Sequence, residues 1–297
     1  MTSLPPLIWL NQRADEGIQS LISKSHAAPM DLNDVVRWEM GVDRNQVPKM
    51  IEHSWLFGTP YFDALDAAQK HEVLWLENAR DVSMFITLEQ TLPPLYVGYL
   101  NTYAGKMSPA VYEYLMIFSK EEIVHTLMFQ RYMKMANLPL FAPADGLYEL
   151  LTQQLPKMHP VAGIICTLLI EWVAELSAMY VSQASSVDPL TREMFRAHHV
   201  DEARHIAFAR WVGESFFEKA SEEDAAKMRA LMRGLMARLI PQFTYNPEIA
   251  AHTSFIFPIA SDDEEAIEQV RNSPANLAKN EACFAPIYNW LHKLEVM

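Results

Sequence analysis

The 297-residue chain has only two cysteines, Cys166 and Cys283, and only nine glycines. The cysteines lack metal-type spacing, and Cys166 lies in an apolar helical segment where an inert buried thiol is usual. Neither a disulfide framework nor a thiolate nucleophile is therefore supported. Alternating Val, Ile and Thr runs typical of strands are also missing, so we predict an all-α protein.

Positive charge is scarce as well, because 24 Lys and Arg stand against 37 Asp and Glu and give a net charge of −13. Such a surface repels phosphate backbones and anionic membranes, so we expect no nucleic-acid or membrane partner. The first 15 residues lack a basic segment followed by an apolar run, and the apolar run 161–170 is too short to cross a bilayer. The sequence predicts a cytoplasmic protein.

Helical periodicity and proline-marked boundaries predict a single domain over residues 1–297. Residues 1–60, with Pro5, Pro6, Pro29 and Pro48, are expected to form an irregular or short-helical lead-in. Residues 61–220 are expected to form a four-helix core, and 221–297 accessory helices. The predicted helices cover 62–92, where Pro93 and Pro94 should break or kink the helix, then 95–103, 109–136, 145–155, 161–183, 189–219, 222–240 and 274–294. Residues 246–261 are predicted to be a loop.

Two of these helices repeat one pattern, a glutamate followed three residues later by a histidine. Glu122 and His125 share a face of one helix, and Glu202 and His205 share a face of the other, with His198 four residues before Glu202. Paired Glu-x-x-His helices are the ligand pattern of dinuclear carboxylate centres in four-helix bundles, where the other two helices each add one glutamate. The repetition predicts a dinuclear metal site.

The two remaining core helices offer few inward acids. Glu89 lies in an otherwise apolar stretch and is the best candidate on the first helix. Glu171 and Glu175 are the only acids in the strongly apolar third helix, where an unpartnered ionised glutamate would be costly. They lie four residues apart on one face, so spacing alone does not choose between them.

The resulting donors are four carboxylates and three imidazoles, without thiolate or thioether. Such hard and intermediate ligands suit iron or manganese, and four carboxylates neutralise two divalent ions in a buried site. Glu121 and Asp201 each precede a ligand glutamate and could orient imidazoles through N–H hydrogen bonds, with Arg204 pairing one of them.

The order of these motifs resembles the ferritin-like di-iron oxygenases, and specifically the p-aminobenzoate N-oxygenase (AurF-like) family. The distinguishing feature is the third histidine, His198, within the segment 198–205. The resemblance covers about residues 60–220, and the family's spacing between its last two glutamates falls on Glu171. It implies a ferritin-like four-helix bundle with flanking helices, whose metal-binding and catalytic residues are Glu89, Glu122, His125, Glu171, His198, Glu202 and His205.

In that family a di-iron(II) centre reduces O2 to a peroxo species that oxygenates an aromatic amine to hydroxylamine and nitro products. The resemblance therefore implies a di-iron oxygenase with two iron ions, O2 as co-substrate and a small-molecule substrate, most directly an arylamine. Manganese in place of one iron is left open, and so is a homodimer. An external electron donor, a reductase or ferredoxin, is also implied.

Three other functions fit part of the pattern. A di-iron desaturase or C–H hydroxylase would use the same ligands beside a long apolar channel. A ferroxidase or iron-handling protein would pass oxidised iron onward, although His198 fills a position that a transit site leaves open. A metal-free helical interaction protein would contain no stoichiometric iron.

Overall fold

The computed structural model describes residues 7–143 and 145–297, and it confirms the all-α class. Over these residues the α-helices are α1 Gln12–Ala27, α2 Pro60–Asp63, α3 Ala67–Tyr103, α4 Pro109–Ala136, α5 Asp145–Glu149, α6 Pro160–Ala178, α7 Pro189–Lys219, α8 Glu222–Leu239, α9 Glu264–Arg271 and α10 Pro274–Lys293. A π-helical turn follows α5 at Leu150–Gln154. Short 3-10 helices lie at Trp38–Met40, Ile51–His53, Ala104–Lys106, Leu155–Lys157, Met179–Gln183, Ile240–Phe243 and Pro247–His252. No strand occurs in the described part, where one isolated bridge joins Val47 and Val187.

Four helices form the core of the bundle. Helix α3 packs along α4, and α6 packs along α7, with further contacts between α3 and α6 and between α4 and α7. Helix α1 lies against α4 and α7, while α8 and α10 cover α6. The buried apolar side chains form one cluster that extends from Ile8 to Val296. The arrangement is the predicted ferritin-like bundle with flanking helices.

Local sequence signals set the boundaries of the site-bearing helices. The Ser108 hydroxyl accepts from the Val111 N–H at the start of α4, and the Asp188 carboxylate accepts from the Thr191 N–H at the start of α7. Both caps are followed by proline at the first helical position, where its missing N–H has no consequence. Asn137, with φ of 50°, ends α4 in the left-handed conformation. The predicted bounds of α4 and α7 are confirmed.

The prediction that Pro93 and Pro94 break or kink the first core helix after residue 92 is wrong about where the helix ends, because α3 continues through both prolines to Tyr103. Each proline removes only one main-chain hydrogen bond. The residues beyond them, including Leu95, Tyr96 and Tyr99, are buried in the core and hold the helix together by packing. Helix α3 also begins later than predicted, at Ala67, after the separate turn α2.

Other segments are more ordered than predicted. The lead-in contains the 16-residue helix α1, whose N-cap Asn11 accepts from the Ala14 N–H. The predicted loop 246–261 contains the 3-10 helix Pro247–His252, and α9 was not predicted. Pro5 and Pro6 lie outside the described residues. The division into lead-in, core and accessory helices stays a prediction.

Helix α6 is the central apolar helix. Together with its 3-10 extension, Pro160–Gln183 is long and apolar enough to cross a membrane, which corrects the shorter run predicted from the sequence. However, 89% of its most apolar window is buried inside the protein. Gly163 permits close packing here, because a Cβ atom at this position would overlap the Tyr99 hydroxyl. The position of α6 in the core of the bundle therefore explains its apolar composition.

Candidate metal centre

The four core helices bring the seven candidate ligands to one region in the middle of the bundle. Each helix presents them on the face that points inward, as the spacing of three and four residues requires. All seven side chains are buried. They comprise Glu89 from α3, Glu122 and His125 from α4, Glu171 from α6, and His198, Glu202 and His205 from α7.

One group of donors joins α3, α4 and α7. Glu89 Oε1 lies 3.0 Å from His198 Nε2, and Glu89 Oε2 lies 3.3 Å from His125 Nδ1. Glu202 Oε1 lies 3.4 Å from the same His125 nitrogen. One donor atom from each of these four residues lies within 4.8 Å of the others, which is compact enough to hold a metal ion.

A second group overlaps the first. Glu122 Oε1 lies 2.9 Å from His205 Nδ1, and Glu202 Oε1 lies 3.0 Å from that nitrogen. Glu122 Oε2 is 3.4 Å from His125 Nδ1. These four residues also offer donors within 4.8 Å of one another, and the two groups share His125 and Glu202. Two adjacent sites with shared donors have the layout of a dinuclear centre.

The carboxylates of Glu122 and Glu171 supply the test of whether a metal pair fits. Both oxygens of each are buried, and none has a partner with hydrogen-bond geometry. Burial and the nearby charges of Glu122 and Glu202 raise the pKa of Glu171 well above its usual range. Buried carboxylate oxygens without partners are unfavourable, and a pair of divalent cations would satisfy them. The donor set therefore fits the predicted metals.

Two of the imidazoles have a carboxylate at the nitrogen that faces away from the cluster. His125 Nε2 lies 3.3 Å from Asp201 Oδ2, and His205 Nε2 lies 2.8 Å from Glu121 Oε2. Arg204 donates to both of these acids, at 3.0 Å to Glu121 Oε1 and by a short contact to Asp201. The arrangement is the one that fixes ligand imidazoles in metal proteins.

Glu175 has different neighbours from Glu171. Its Oε2 lies 3.3 Å from His198 Nδ1, without hydrogen-bond geometry, and its Oε1 contacts His199 Nδ1. Thus His198 turns Nε2 toward Glu89 and its other nitrogen toward Glu175. The sequence leaves His199, like Glu175, undecided between a residue that orients a ligand and a structural one, and the structure brings the two together.

Two imidazoles of the cluster, those of His125 and His205, have raised pKa values. Burial opposes protonation of His125, but Asp201 and Glu122 outweigh it and raise its pKa to about 10. Burial is likewise outweighed at His205, where Glu202 and Glu122 raise the pKa well above its usual range. In return, His205 and His125 overcome the burial of Glu122 and lower its pKa to about 2. The electrostatics of this region therefore favour positive charge between its carboxylates.

Aromatic rings enclose the imidazoles. Phe118 stacks on His205 with ring centroids 3.7 Å apart, and Phe85 and Phe129 meet His198 edge-on at 5.1 and 4.9 Å. The sequence placed these rings in core helices but gave no signal that they touch the site. They restrict the rotation of the ligand rings and exclude water from them.

The fold and this donor cluster define the class of protein as ferritin-like bundles with a candidate dinuclear carboxylate site. A family model described as P-aminobenzoate N-oxygenase AurF matches residues 11–295, so the chain belongs to that family. The protein is therefore an oxidoreductase of the di-iron oxygenase type.

Solved structures show the same fold at low sequence identity. A tyrosine-to-phenylalanine mutant of an R2-like ligand-binding oxidase with a Mn/Fe cofactor is similar with a TM-score of 0.57 and 14% identity, over 93% of both chains. A glycine-to-leucine mutant with an Fe/Fe cofactor has a TM-score of 0.52 and 15% identity, over 89% of this chain and 92% of that one. No curated protein sequence is significantly similar to the chain.

Proposed function

We propose that the chain holds two iron ions, or one manganese and one iron, and uses O2 to oxygenate the nitrogen of an arylamine. The observation that carries this proposal is the pair of overlapping donor groups that share His125 and Glu202 in the buried centre of the bundle. Family membership supports O2 as the co-substrate. An external reductase or ferredoxin and a cytoplasmic location belong to the same proposal.

The ligands in this proposal are the seven candidate residues, with Glu171 as the fourth carboxylate. Glu171 is preferred to Glu175 because its two oxygens are free of partners, whereas Glu175 contacts His198 and His199. Once bound, the metal pair would supply the electrons that reduce O2. The chain's own contribution is to fix the donor atoms and to exclude water. Its four carboxylates would also neutralise the charge of two divalent ions.

The outer carboxylates act as positioning residues in this proposal. Asp201, Glu121 and Glu175 each lie beside one imidazole, next to the ring nitrogen that points away from the cluster. A carboxylate there selects the tautomer whose inner nitrogen is free to bind metal. Because Glu175 also contacts His199, the same acid is fixed from two sides.

A cavity of about 400 Å³ beside α6 has the size for a small aromatic substrate. Its wall includes Leu176, directly after Glu175, and the ring of Tyr180. The half-buried ammonium of Lys279 lies 5.2 Å from the Trp55 ring centroid and could anchor a carboxylate. A larger cavity of about 660 Å³ is lined by segments around α5 and α8, which carry no candidate ligand. None of the seven candidate ligands lines either cavity, so the preference for an arylamine rests on family membership.

The test is anaerobic loading with Fe(II), followed by isotopically labelled O2, an external reductant and a substrate. We expect labelled hydroxylamine and nitro products from p-aminobenzoate or its amide, detected by mass spectrometry. Lys279→Met should weaken turnover of the acid more than that of the neutral amide. Products formed only from acyl chains would favour the desaturase or hydroxylase alternative, and iron released as a mineral would favour the ferroxidase.

Metal content gives a separate readout. Glu122→Gln should lower the bound metal below two ions per chain, because it removes the negative charge of one candidate ligand. Glu113→Gln is the matched control, since Glu113 lies on the same helix but is exposed and pairs with His26. Equal metal loss in both variants would contradict the proposed site.

A further inference from the structure

The cavity of about 660 Å³ between the π-helical turn and α8 has the features of a second ligand site, and we call it the α8 cleft. Its volume lies in the range of small-molecule sites, which are concave and mostly apolar. No acidic and no aromatic side chain is among the described residues that line it. Its aliphatic walls comprise Leu147, Leu150, Met158, Leu231, Leu235 and Leu239.

The chain's own side chains do not fill the α8 cleft. Leu150, Met158 and Leu231 are only half-buried, although they line the same cavity. Single apolar side chains at a surface need no explanation, but several around one concavity mark a place where an apolar molecule binds. Covering them would remove apolar surface from water, which is favourable.

Gly234 is a second sign that something other than this chain occupies the space. It lies inside α8, where glycine weakens a helix relative to alanine. A Cβ atom there would meet nothing within 4 Å, and its φ is not in the left-handed region. Neither the backbone nor the packing of the chain therefore requires glycine. A molecule lying in the cleft, which Gly234 lines, would require it.

The opposite wall of the cleft has an uncommon backbone. The segment Leu150–Gln154 forms a single π-helical turn, and both of its end residues line the cavity. Such turns are rare and are found frequently at functional sites. The two walls thus each carry a local feature that costs helix stability and that the core of the bundle does not explain.

The cleft also contains one cation. Arg238 lies one turn beyond Gly234, and the amide side chains of Gln154 and Gln242 line the same cavity. Among the described residues Arg238 has no carboxylate partner, although the chain carries 37 acidic residues. Glu149 accepts from Gln154 at 3.4 Å but does not line the cleft. A guanidinium beside an apolar cavity suits a carboxylate, which it binds through two parallel hydrogen bonds.

We propose that the α8 cleft binds a medium-chain fatty acid, with the carboxylate at Arg238 and the aliphatic chain directed toward Leu231. These residues are seven positions apart, or about 10 Å along the helix, which an extended chain of this class spans. An aliphatic body is favoured over an aromatic one because the cleft offers no ring for stacking. No candidate metal ligand lines the cleft, so this ligand is distinct from the substrate of the proposed reaction.

Isothermal titration calorimetry of the metal-loaded full chain tests the site, with decanoate kept below its micelle concentration. We expect saturable binding of one decanoate per chain. Octanoate should bind about tenfold more weakly than decanoate, because it buries two fewer methylene groups. Binding of many molecules per chain without saturation would overturn the inference.

Two substitutions test the two ends of the cleft. Gly234→Leu should weaken decanoate binding about 100-fold because the new side chain fills the cavity, whereas Gly98→Leu is its control, since Gly98 has open space on α3 outside the cleft. Arg238→Gln should weaken decanoate binding about tenfold and leave the binding of decanol unchanged, because only the acid loses a charged hydrogen bond. Arg13→Gln is the control for that change, since Arg13 is exposed on α1.

A crystal structure with bromine-labelled decanoate would locate the ligand through the anomalous signal of bromine. We expect the signal between the π-helical turn and α8. A signal at the metal centre or beside Lys279, or decanoate binding that Gly234→Leu leaves unchanged, would overturn the inference. Circular dichroism separates a blocked cleft from a lost fold, and if Gly234→Leu fails to fold, Ala230→Leu on the same wall serves with the same expectation.

Discussion

Metal binding to the metal-free protein should release at least one proton per chain near neutral pH. In the metal-free cluster the pKa of His125 is raised to about 10, and those of His205 and Glu171 lie well above their usual ranges. His125 therefore holds a proton at pH 7, and the raised pKa values of His205 and Glu171 favour the protonated form of these groups too. Imidazole and carboxylate ligands bind metal only in their deprotonated forms, so every proton held must be lost.

The release can be counted by isothermal titration calorimetry in buffers of different ionisation enthalpy, with Mn(II) as a probe that is stable to air. Glu171→Gln should lower the count, because the amide has no proton to lose. Glu175→Gln should leave the count unchanged, since His198 and His199 outweigh burial and lower the pKa of Glu175 to about 2. The pair of variants thus distinguishes two acids that lie on one face of α6.

The same protons make metal affinity depend on pH. With at least one proton lost, the apparent binding constant for the ion pair should rise about 10-fold or more per pH unit around neutrality. Release of no proton would refute the raised pKa of His125. A fall in the count with Glu175→Gln but not with Glu171→Gln would reverse the assignment of the fourth carboxylate.

Three further predictions concern stability, measured by urea unfolding. Gly163→Ala should lower the free energy of unfolding by about 1–3 kcal/mol, because the new methyl group meets the Tyr99 hydroxyl. Gly98→Ala is the control: Gly98 has open space around it, so this change should raise the free energy of unfolding by up to about 1 kcal/mol. Lys49→Met should lower it by about 3–5 kcal/mol, since it removes the buried cation beside two carboxylates, and a change below about 1 kcal/mol would contradict this role. The metal-free protein should lose stability as pH rises from 6.5 toward 10, because His125 is raised above its unfolded value and its contribution is complete only below that value. Constant stability over that interval would argue against a protonated His125.

The sequence was sufficient to predict α4 and α7, because their ends are marked by caps and prolines. It also singled out Glu122 and His125 by the repeated Glu-x-x-His pattern, and Glu89 by its position in an otherwise apolar stretch. It could not choose between Glu171 and Glu175, which share a face. That choice depends on how α6 is rotated against α7, and rotation is set by packing between helices.

The sequence could not predict that α3 continues past Pro93 and Pro94, for a related reason. Two prolines weaken a helix locally, and only the core contacts that the later turns make decide whether it goes on. The contact of His199 with Glu175 likewise depends on tertiary packing, as does the stacking of Phe118 on His205.

The two prolines also make α3 mechanically unlike the other three core helices. Pro93 and Pro94 lack the N–H groups that would bond to the carbonyl oxygens of Glu89 and Gln90 four residues earlier. The backbone beside Glu89 can therefore lengthen or bend without breaking an i to i−4 hydrogen bond there. A displacement of Glu89 along α3 would therefore meet less resistance than one of Glu122 or Glu202, because α4 and α7 have no internal proline.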